Sequence, residues 1–283
     1  MTVQKALELI CQQSNLEKYQ AWWILEFVTK KDKTALVGQE YTFSEEQKNQ
    51  LNSIITDLTI HHKPLAYILG FVPFLNLHIT VKPPILIPRP ETEEWVQNNI
   101  AQLKKEGFAS GRILDIGTGS GCIALAFAQA FAQASVVASD INPQALELAQ
   151  HNAKQNNISN ITCVHSDLFE KLRQSEKFDL IVSNPPYIAR NQLEKMSASV
   201  TKWEDHNALF AHDHGLALIK KIITNAQHWL LPSKNSYNLI IEIAEYHQPA
   251  LEQFLQDLAI SNYLFTVDHF NNIRTVQLLL TMK

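Results

Sequence analysis

The sequence predicts an α/β protein: a doubly wound, mostly parallel seven-stranded sheet with an antiparallel C-terminal hairpin, preceded by a small helical bundle. Residues 112–283 alternate seven short apolar runs with amphipathic segments, the pattern of a parallel sheet covered by helices. The last two runs are separated only by HFNNIR, which is too short for a crossover helix and indicates a hairpin. Apolar residues before position 70 recur at helical spacing, which predicts the bundle.

Each element has a stretch of sequence behind it. The predicted strands are RILDIG, ASVVASD, ITCVHSD, FDLIVSN, NLIIEI, YLFTVD and TVQLLL, and helices are predicted at about 120–132, 143–156, 214–231 and 247–259. In the bundle, VQKALELICQQ, AWWILEFV and SEEQKNQLNSIITDL are the helical segments, and KDKTALVGQEYTF is the one gap of turn-type sequence. Ser44 with Gln47 three residues later predicts a capping box.

A connector follows the bundle. FLNLHITV alternates like a strand, and the proline-rich PPILIPRPETEEW leads into a helix with acidic residues in its first turn. We therefore predict a helical substrate-recognition domain over 1–70, a linker and β-hairpin region over 71–95, and the sheet domain over 96–283.

Composition narrows the class of protein. The 283 residues are 46% hydrophobic and 18% charged, which predicts a folded core. The net charge of −4 argues against binding bare nucleic acid through its phosphates. No apolar run reaches the ~18 residues of a transmembrane helix. Three widely spaced cysteines indicate reduced thiols, and the N-terminus, which lacks arginine, is not typical of a targeting peptide, so we expect a cytoplasmic protein.

The first candidate site is ILDIGTGSGCIALAFA, where a strand ends at Asp115 and a turn holds Gly117, Gly119 and Gly121 before a helix. Such glycines permit positive φ and close approach of a ligand, and a helix N-terminus supplies free N–H groups. The spacing is GxGxG and departs from the dinucleotide fingerprint GxGxxG. The alternative is a tight turn without a ligand.

Two further acids end predicted strands at the same edge of the sheet. Asp140 is placed to accept hydrogen bonds from two ribose hydroxyls, of NAD or of another adenosine ligand, with Asn142 capping the next helix. Asp167 is placed to bind an exocyclic adenine amine, with Leu168 facing the ring. The alternatives are a plain turn residue at Asp140 and a helix cap at Asp167.

The fourth site is the stretch FDLIVSNPPYIA, in which Asn184, Pro185, Pro186 and Tyr187 end a buried strand. Prolines donate no hydrogen bond, so this turn is rigid and poor in donors. It lies at the carboxyl edge, where open α/β sheets bind ligands. The alternative is an ordinary loop.

Together these pieces resemble the class I S-adenosylmethionine-dependent methyltransferases, and NPPY resembles the subgroup that methylates a planar nitrogen of adenine or of a glutamine amide. PLAYILG at 64–70, ILIPRPETE at 85–93, WEDHNALFAHDHGL at 203–216 and LIIEIAEYHQ at 239–248 are similar to the peptide chain release factor glutamine methyltransferases, the HemK or PrmC family. The similarity covers nearly the whole chain.

This resemblance implies transfer of a methyl group from S-adenosylmethionine to the side-chain nitrogen of the GGQ glutamine in class I release factors, a step that tunes translation termination. The implied cofactor-binding residues are Gly117, Thr118, Gly119, Ser120, Gly121, Asp140, Asp167, Leu168 and Asn184. Asn184, Pro185 and Tyr187 are implied to be catalytic, and Asn184, Pro185, Pro186, Tyr187 and Arg89 to bind the substrate. PRPETE, with Arg89 and Glu91, either lines the entrance or braces this turn, and the alternative is a proline-stiffened linker with a helix cap. Glu242 either supports the pocket or only pairs with a neighbour.

Three rival functions stay open from the residues. A ribosomal-protein glutamine methyltransferase would share the NPPY turn, whereas an adenine-N6 DNA methyltransferase would want a basic groove. A catalytically silent binding module is the third. We expect no metal site, because HDH at 212–214 and HH at 61–62 lack a partner cluster. We expect a release factor as partner, no direct contact with nucleic acid or membrane, and a monomer.

Overall fold

The structure, a computed structural model, describes residues 1–37, 41–232 and 236–280. The helices of these ranges are α1 Val3–Ser14, α2 Lys18–Thr29, α3 Lys33–Val37, α4 Glu45–Thr59, α5 Leu65–Leu69, α6 Pro90–Lys105, α7 Cys122–Ala130, α8 Pro143–Gln155, α9 Ala198–Thr201, α10 Ala217–Ala226 and α11 Gln248–Asp257. The strands are β1 Phe71–Phe74, β2 Leu77–Thr80, β3 Ser110–Ile116, β4 Gln133–Asp140, β5 Ile161–His165, β6 Leu180–Ser183, β7 Ile188–Ala189, β8 Phe210–Ala211, β9 Leu239–Glu242, β10 Tyr263–Val267 and β11 Ile273–Leu278.

The chain divides into two compact units. One comprises Met1–Phe71 together with Ser197–Trp203, and the other comprises Val72–Met196 and the chain from Glu204 onward. The predicted boundaries at 70/71 and 95/96 stay a prediction.

The first unit is a helical bundle whose apolar side chains face inward, as their spacing predicts. Ile10, Ile24, Leu25 and Leu51 are fully buried in one cluster. The capping box at the start of α4 is confirmed: Ser44 Oγ accepts from Gln47 N at 3.2 Å, and Ser44 N donates to Gln47 Oε1 at 3.1 Å.

The stretch expected to be turn-type contains a helix instead. Helix α3 begins after Asp32, whose Oδ1 accepts from Ala35 N at 2.7 Å, so a side-chain cap outweighs the turn-like composition. Residues 38–40 of the same stretch lie outside the described residues.

The second unit is built on the predicted seven-stranded sheet, with strand order β10-β11-β9-β6-β3-β4-β5. Pairing is parallel from β9 to β5, whereas β11 runs antiparallel to both β9 and β10. All seven apolar runs are strands of this sheet. The central strand β6 is buried along its whole length, which explains why FDLIVS shows no polar alternation.

Two helices of this unit begin with proline, which has the φ of a helix and lacks the N–H that the first turn leaves unpaired. Pro90 opens α6, with Glu91 and Glu93 in its first turn. Pro143 opens α8, and Asn142 caps it by accepting from Gln144 N at 2.9 Å, as predicted.

The stretch FLNLHITV contains the turn and the second strand, β2, of a short hairpin whose first strand, β1, begins before it at Phe71. Side chains of α8 bind the backbone of β2 as a neighbouring strand would. Asn152 accepts from Thr80 N at 2.9 Å and donates to Thr80 O at 3.0 Å. Asn156, one helical turn later, makes the same pair of bonds to His78, each at 2.9 Å. Asn152 also donates to Ser120 O at 2.8 Å, so this buried amide links the hairpin, α8 and the turn before α7.

We expect Asn152→Ala to lower the free energy of unfolding by about 2 kcal/mol or more, because truncation leaves buried backbone groups without partners. The measurement is urea denaturation followed by circular dichroism. Lys154→Ala, on the exposed side of the same helix, is the control and should stay within about 0.5 kcal/mol of the wild type. Equal stability of both variants would refute the role given to Asn152.

Candidate active site

Strand register places three predicted site segments side by side. Ile116, the last residue of β3, pairs with Ser139 of β4 and with Ser183 of β6. The residues that follow these three, Gly117, Asp140 and Asn184, therefore leave the sheet next to one another at its carboxyl edge. This is the edge at which open α/β sheets bind ligands.

The glycine turn leaves open space at two positions. Gly117 and Gly119 have φ of +72° and +54°, and a Cβ at Gly119 would meet no heavy atom within 4 Å. At Gly117 the nearest atom is the backbone oxygen of Asn184, 4.0 Å away. Gly121 is different, because a Cβ there would lie 2.9 Å from Ala149 Cβ on α8. Packing of α7 against α8, rather than a ligand, requires the third glycine.

The side chains between the glycines turn into the protein. Thr118 Oγ1 donates to Asp115 Oδ2 at 2.6 Å, and Ser120 is 3% exposed. Any contact of these two residues with a bound cofactor would come from their backbone. Asp115 is fully buried, and its Oδ1 has no hydrogen-bond partner among the described residues. Burial raises the pKa of Asp115 to about 7, against the bonds from Thr118 and the Ala124 N–H, which favour the charged form.

Asp140 closes the glycine turn from the next strand. Its Oδ2 accepts from Gly119 N at 2.9 Å and its Oδ1 from Asn142 N at 2.8 Å. A carboxylate offers about four acceptor positions, so acceptor capacity remains for a ligand hydroxyl. Burial raises the pKa of Asp140, opposed by these backbone hydrogen bonds. The neighbouring Ile141 is 62% exposed, an apolar surface beside the carboxylate that the sequence patterns did not single out.

Asp167 and Leu168 follow β5 at the same edge. No helix begins after Asp167, which is exposed in a turn, so the capping alternative fails. Leu168 is half-buried and has a φ of +46°, an uncommon conformation for a side chain of this kind. Such outliers concentrate at ligand sites.

The NPPY turn is held from several directions. Pro185 is buried, Asn184 Nδ2 donates to Thr92 Oγ1 at 3.2 Å, and Tyr187 OH donates to Glu242 Oε1 at 3.0 Å. Burial and the neighbouring Glu242 carboxylate raise the pKa of Tyr187 well above its usual value. The phenol therefore stays neutral and serves as a donor and a packing surface.

Gly215 supports this turn from behind. Its φ is +96°, and a Cβ there would lie 2.0 Å from the backbone oxygen of Tyr187. Only glycine lets the chain pass this close. His247 Nε2 would be 2.9 Å from the same Cβ, and the ring lies 3.1 Å from His214 O. HDHGL is thus a packed turn against the NPPY segment.

The PRPETE segment supplies both a salt bridge and a brace. Arg89 Nη2 donates to both oxygens of Glu204, at 2.7 and 2.6 Å, and Glu204 is 4% exposed. The guanidinium is part-buried, with a third of the side chain exposed. Thr92 of this segment donates to Glu242 and accepts from Asn184, and Trp95, two residues after the segment, also donates to Glu242. The sequence patterns marked neither residue. In the sequence, Thr92 and Trp95 stand out only as a polar and an aromatic residue in the first two turns of α6.

Across the described ranges, no group of three or more His, Cys, Asp or Glu side chains is arranged to hold a metal ion. In the same ranges, no helix is both long and apolar enough to cross a membrane.

The residues fit the predicted cofactor. Gly117 and Gly119 leave open space beside the turn, and Asp140 has acceptor capacity for a ribose hydroxyl.

Comparisons with known proteins agree with this geometry. A family model described as PrmC N-terminal domain matches residues 3–70, and one described as Methyltransferase small domain matches residues 99–202. The chain is 39% identical over 239 residues to a release factor glutamine methyltransferase of Streptococcus pneumoniae, covering 84% of this chain and 82% of the relative. It is 40% identical over 212 residues to that of Lactococcus lactis, covering 75% of each.

Among solved structures, the chain resembles the N-terminal domain of human METTL16 in complex with SAH, with a TM-score of 0.52 at 15% identity. The alignment covers 97% of this chain and 94% of that one. At this identity the likeness concerns the fold, and it confirms the predicted class I methyltransferase architecture.

The buried Asp115 predicts a pH dependence of stability. Its folded-state pKa of about 7 lies above the ordinary 3.8, so at intermediate pH the folded protein holds a proton that the unfolded chain has released. This stabilisation is fully present below pH 3.8 and is lost as the pH rises through about 7. A shift of this size corresponds to about 4 kcal/mol.

Asp115→Asn resembles the protonated acid in shape and does not titrate. As the pH rises from 3.8 to about 7, we expect the free energy of unfolding to fall distinctly less in this variant than in the wild type. Urea denaturation across the pH range measures the difference. If the wild type and the variant show parallel curves, Asp115 does not titrate as its burial implies.

Proposed function

The chain belongs to the family of release factor glutamine methyltransferases, and we propose that its NPPY turn, next to the glycine turn, methylates the glutamine side chain of a release factor. The observation that carries this proposal is the β3–β6 register, which sets Asn184 beside Gly117. A site for the methyl donor and a site for a planar amide are therefore neighbours. The names of the relatives favour this substrate over the ribosomal-protein and DNA alternatives.

S-adenosylmethionine, when bound, supplies an electrophilic methyl group on a sulfonium sulfur. The backbone of Gly117–Gly121 would hold this cofactor, Asp140 would accept from its ribose hydroxyls, and Asp167 with Leu168 would bind its adenine. The exposed Ile141 adds an apolar surface at the same place. These roles follow the chemistry of each group at the sheet edge.

We call the NPPY turn, Asn184 to Tyr187, the clamp. The glutamine amide that it binds is a weak nucleophile, because the lone pair of an amide nitrogen is delocalised into its carbonyl. Asn184 Oδ1 and the Pro185 carbonyl oxygen each accept one N–H of the glutamine, which increases electron density on its nitrogen and orients it for methylation. The methyl group leaves sulfur for this nitrogen and the nitrogen loses one proton to solvent, so the products are N5-methylglutamine and S-adenosylhomocysteine. Pro185 and Pro186 keep these acceptors rigid. The Tyr187 ring packs against the planar amide, with its hydroxyl fixed by Glu242.

Recognition of the release factor needs more area than one side chain provides. We assign it to the helical N-terminal domain, with Arg89 at the entrance to the clamp. We further propose that the glutamine is that of the GGQ motif, that the enzyme is a cytoplasmic monomer, and that it makes no direct contact with nucleic acid.

The central test uses methyl-labelled S-adenosylmethionine with three substrates: intact release factor, the same factor with its GGQ glutamine changed to alanine, and duplex DNA. We expect label on the intact factor alone. Asn184→Ala should lower kcat by about 100-fold or more, because an acceptor aimed at the reacting amide is lost. Its cofactor Kd should stay within about threefold of the wild type.

Asn225→Ala is the matched control, since its side chain is exposed and donates to the carbonyl of Lys221 in its own helix. Label on DNA, or undiminished kcat in Asn184→Ala, would overturn the assignment.

The cofactor site has its own test. Asp140→Asn should raise the Kd for S-adenosylmethionine by about tenfold or more, because hydrogen bonds to a charged acceptor contribute about 1.5–3 kcal/mol. Isothermal titration calorimetry measures the Kd. The control Asp257→Asn changes an exposed carboxylate that accepts from Gln253, and it should bind as the wild type does. Equal affinity in both variants would remove Asp140 from the ribose site.

A further inference from the structure

One buried carboxylate gathers the residues behind the clamp. Glu242, at the end of β9, is 2% exposed. Its Oε2 accepts from Thr92 Oγ1 at 2.7 Å and from Trp95 Nε1 at 2.6 Å, and its Oε1 accepts from Tyr187 OH at 3.0 Å. The carboxylate thus fixes one hydroxyl of α6 and one residue of the NPPY turn at the same time.

The direction of these bonds determines the next one. A threonine hydroxyl has a single proton, and Thr92 gives it to Glu242. Towards Asn184, 3.2 Å away, the same oxygen can only accept. The amide of Asn184 must therefore present Nδ2 to Thr92, which turns Oδ1 to the other side.

This choice of direction matters because a side-chain amide is nearly symmetric in shape, and its partners decide which end is which. With the reverse orientation, the clamp would present an NH2 group to the NH2 group of a glutamine, and two donors would face each other. In that orientation the oxygen of Thr92 would also lose its donor, Asn184 Nδ2. Thr92 is 2% exposed, so water does not replace this donor.

We propose that Thr92 and Glu242 are positioning residues that fix the orientation of the Asn184 amide, so that an oxygen faces the substrate nitrogen. This inference rests on the proposed function for its effect on turnover, and on the hydrogen-bond network alone for the orientation itself.

We call the hydrogen bonds that run from Glu242 through Thr92 to Asn184 the relay. Its effect on turnover is tested with a matched set of variants. Thr92→Val keeps the shape and removes the hydroxyl, and we expect kcat on the release factor to fall by about 10- to 100-fold with an unchanged Kd for S-adenosylmethionine. Thr92→Ser keeps the hydroxyl and should restore kcat to within about threefold of the wild type. Thr224→Val is the control, because that exposed hydroxyl donates to the carbonyl of Lys220 in its own helix.

Trp95→Phe separates positioning from simple stability. It also removes a donor from Oε2 of Glu242, but Trp95 makes no bond to Asn184. Suppose that Glu242 only anchors α6 to the sheet. Trp95→Phe and Thr92→Val should then lower kcat by the same factor whenever they lower the melting temperature by the same amount. The relay predicts the larger loss of kcat in Thr92→Val. Equal losses in the two variants, or full kcat in Thr92→Val, would overturn it.

A second measurement does not depend on the substrate. In ¹⁵N NMR spectra of the S-adenosylmethionine complex, the Nδ2 protons of Asn184, identified by their loss in Asn184→Ala, should exchange slowly with water. Thr92→Val should speed this exchange, and Thr92→Ser and Thr224→Val should not. If exchange is fast in the wild type, the orientation is not fixed and the proposal fails. If it is slow and responds to Thr92→Val in a protein that methylates no release factor, the relay stands and the proposed function fails.

Discussion

The register of three parallel strands is the constraint on which the site depends. Ile116 pairs with Ser139 on one side and Ser183 on the other, and Ser183 Oγ donates to Ile116 O at 2.7 Å. Gly117 N then donates to Ser139 O at 2.8 Å, so the glycine turn begins from the neighbouring backbone. A slip of one residue would turn every side chain of a strand to the opposite face. The register of the central strands therefore keeps the glycine turn next to the clamp. These strands are buried on both faces, so a change of register would be costly.

Among the described residues, burial raises the pKa of four buried carboxylates, those of Asp115, Asp140, Glu204 and Glu242, but their partners differ. Glu242 accepts from three side-chain donors, and Glu204 has the Arg89 guanidinium. Asp115 has two donors on one oxygen and no partner among the described residues on the other. The least compensated acid therefore lies beneath the glycine turn. A cationic ligand bound there stabilises the folded state by mass action, and it lowers the cost of keeping that carboxylate charged.

Local sequence signals were sufficient for most of the fold, because apolar period, proline at helix starts and a capping box act within a few residues. They located the seven strands of the sheet and the caps at Ser44 and Asn142. They missed the pairing of Asn152 with Thr80 and the bond from Thr92 to Glu242, which join residues 72 and 150 positions apart. Such bonds depend on which helix packs on which strand, and the spacing of apolar residues along the sequence does not indicate this. Glu242 itself was visible as an acid at a strand end, but its donors were not.

The clamp has a consistent polarity. Pro185 and Pro186 contribute no N–H, the Asn184 amide donates to the interior, and the Tyr187 hydroxyl does the same. Ile188, the next residue, donates its N–H to a backbone oxygen. What this turn presents to a ligand is therefore chiefly acceptors. A glutamine amide carries the two N–H groups that complement such a surface, whereas a glutamate side chain would bring oxygen against oxygen. Discrimination between the two follows from repulsion as much as from attraction, and it requires that the donors of the turn stay directed inward.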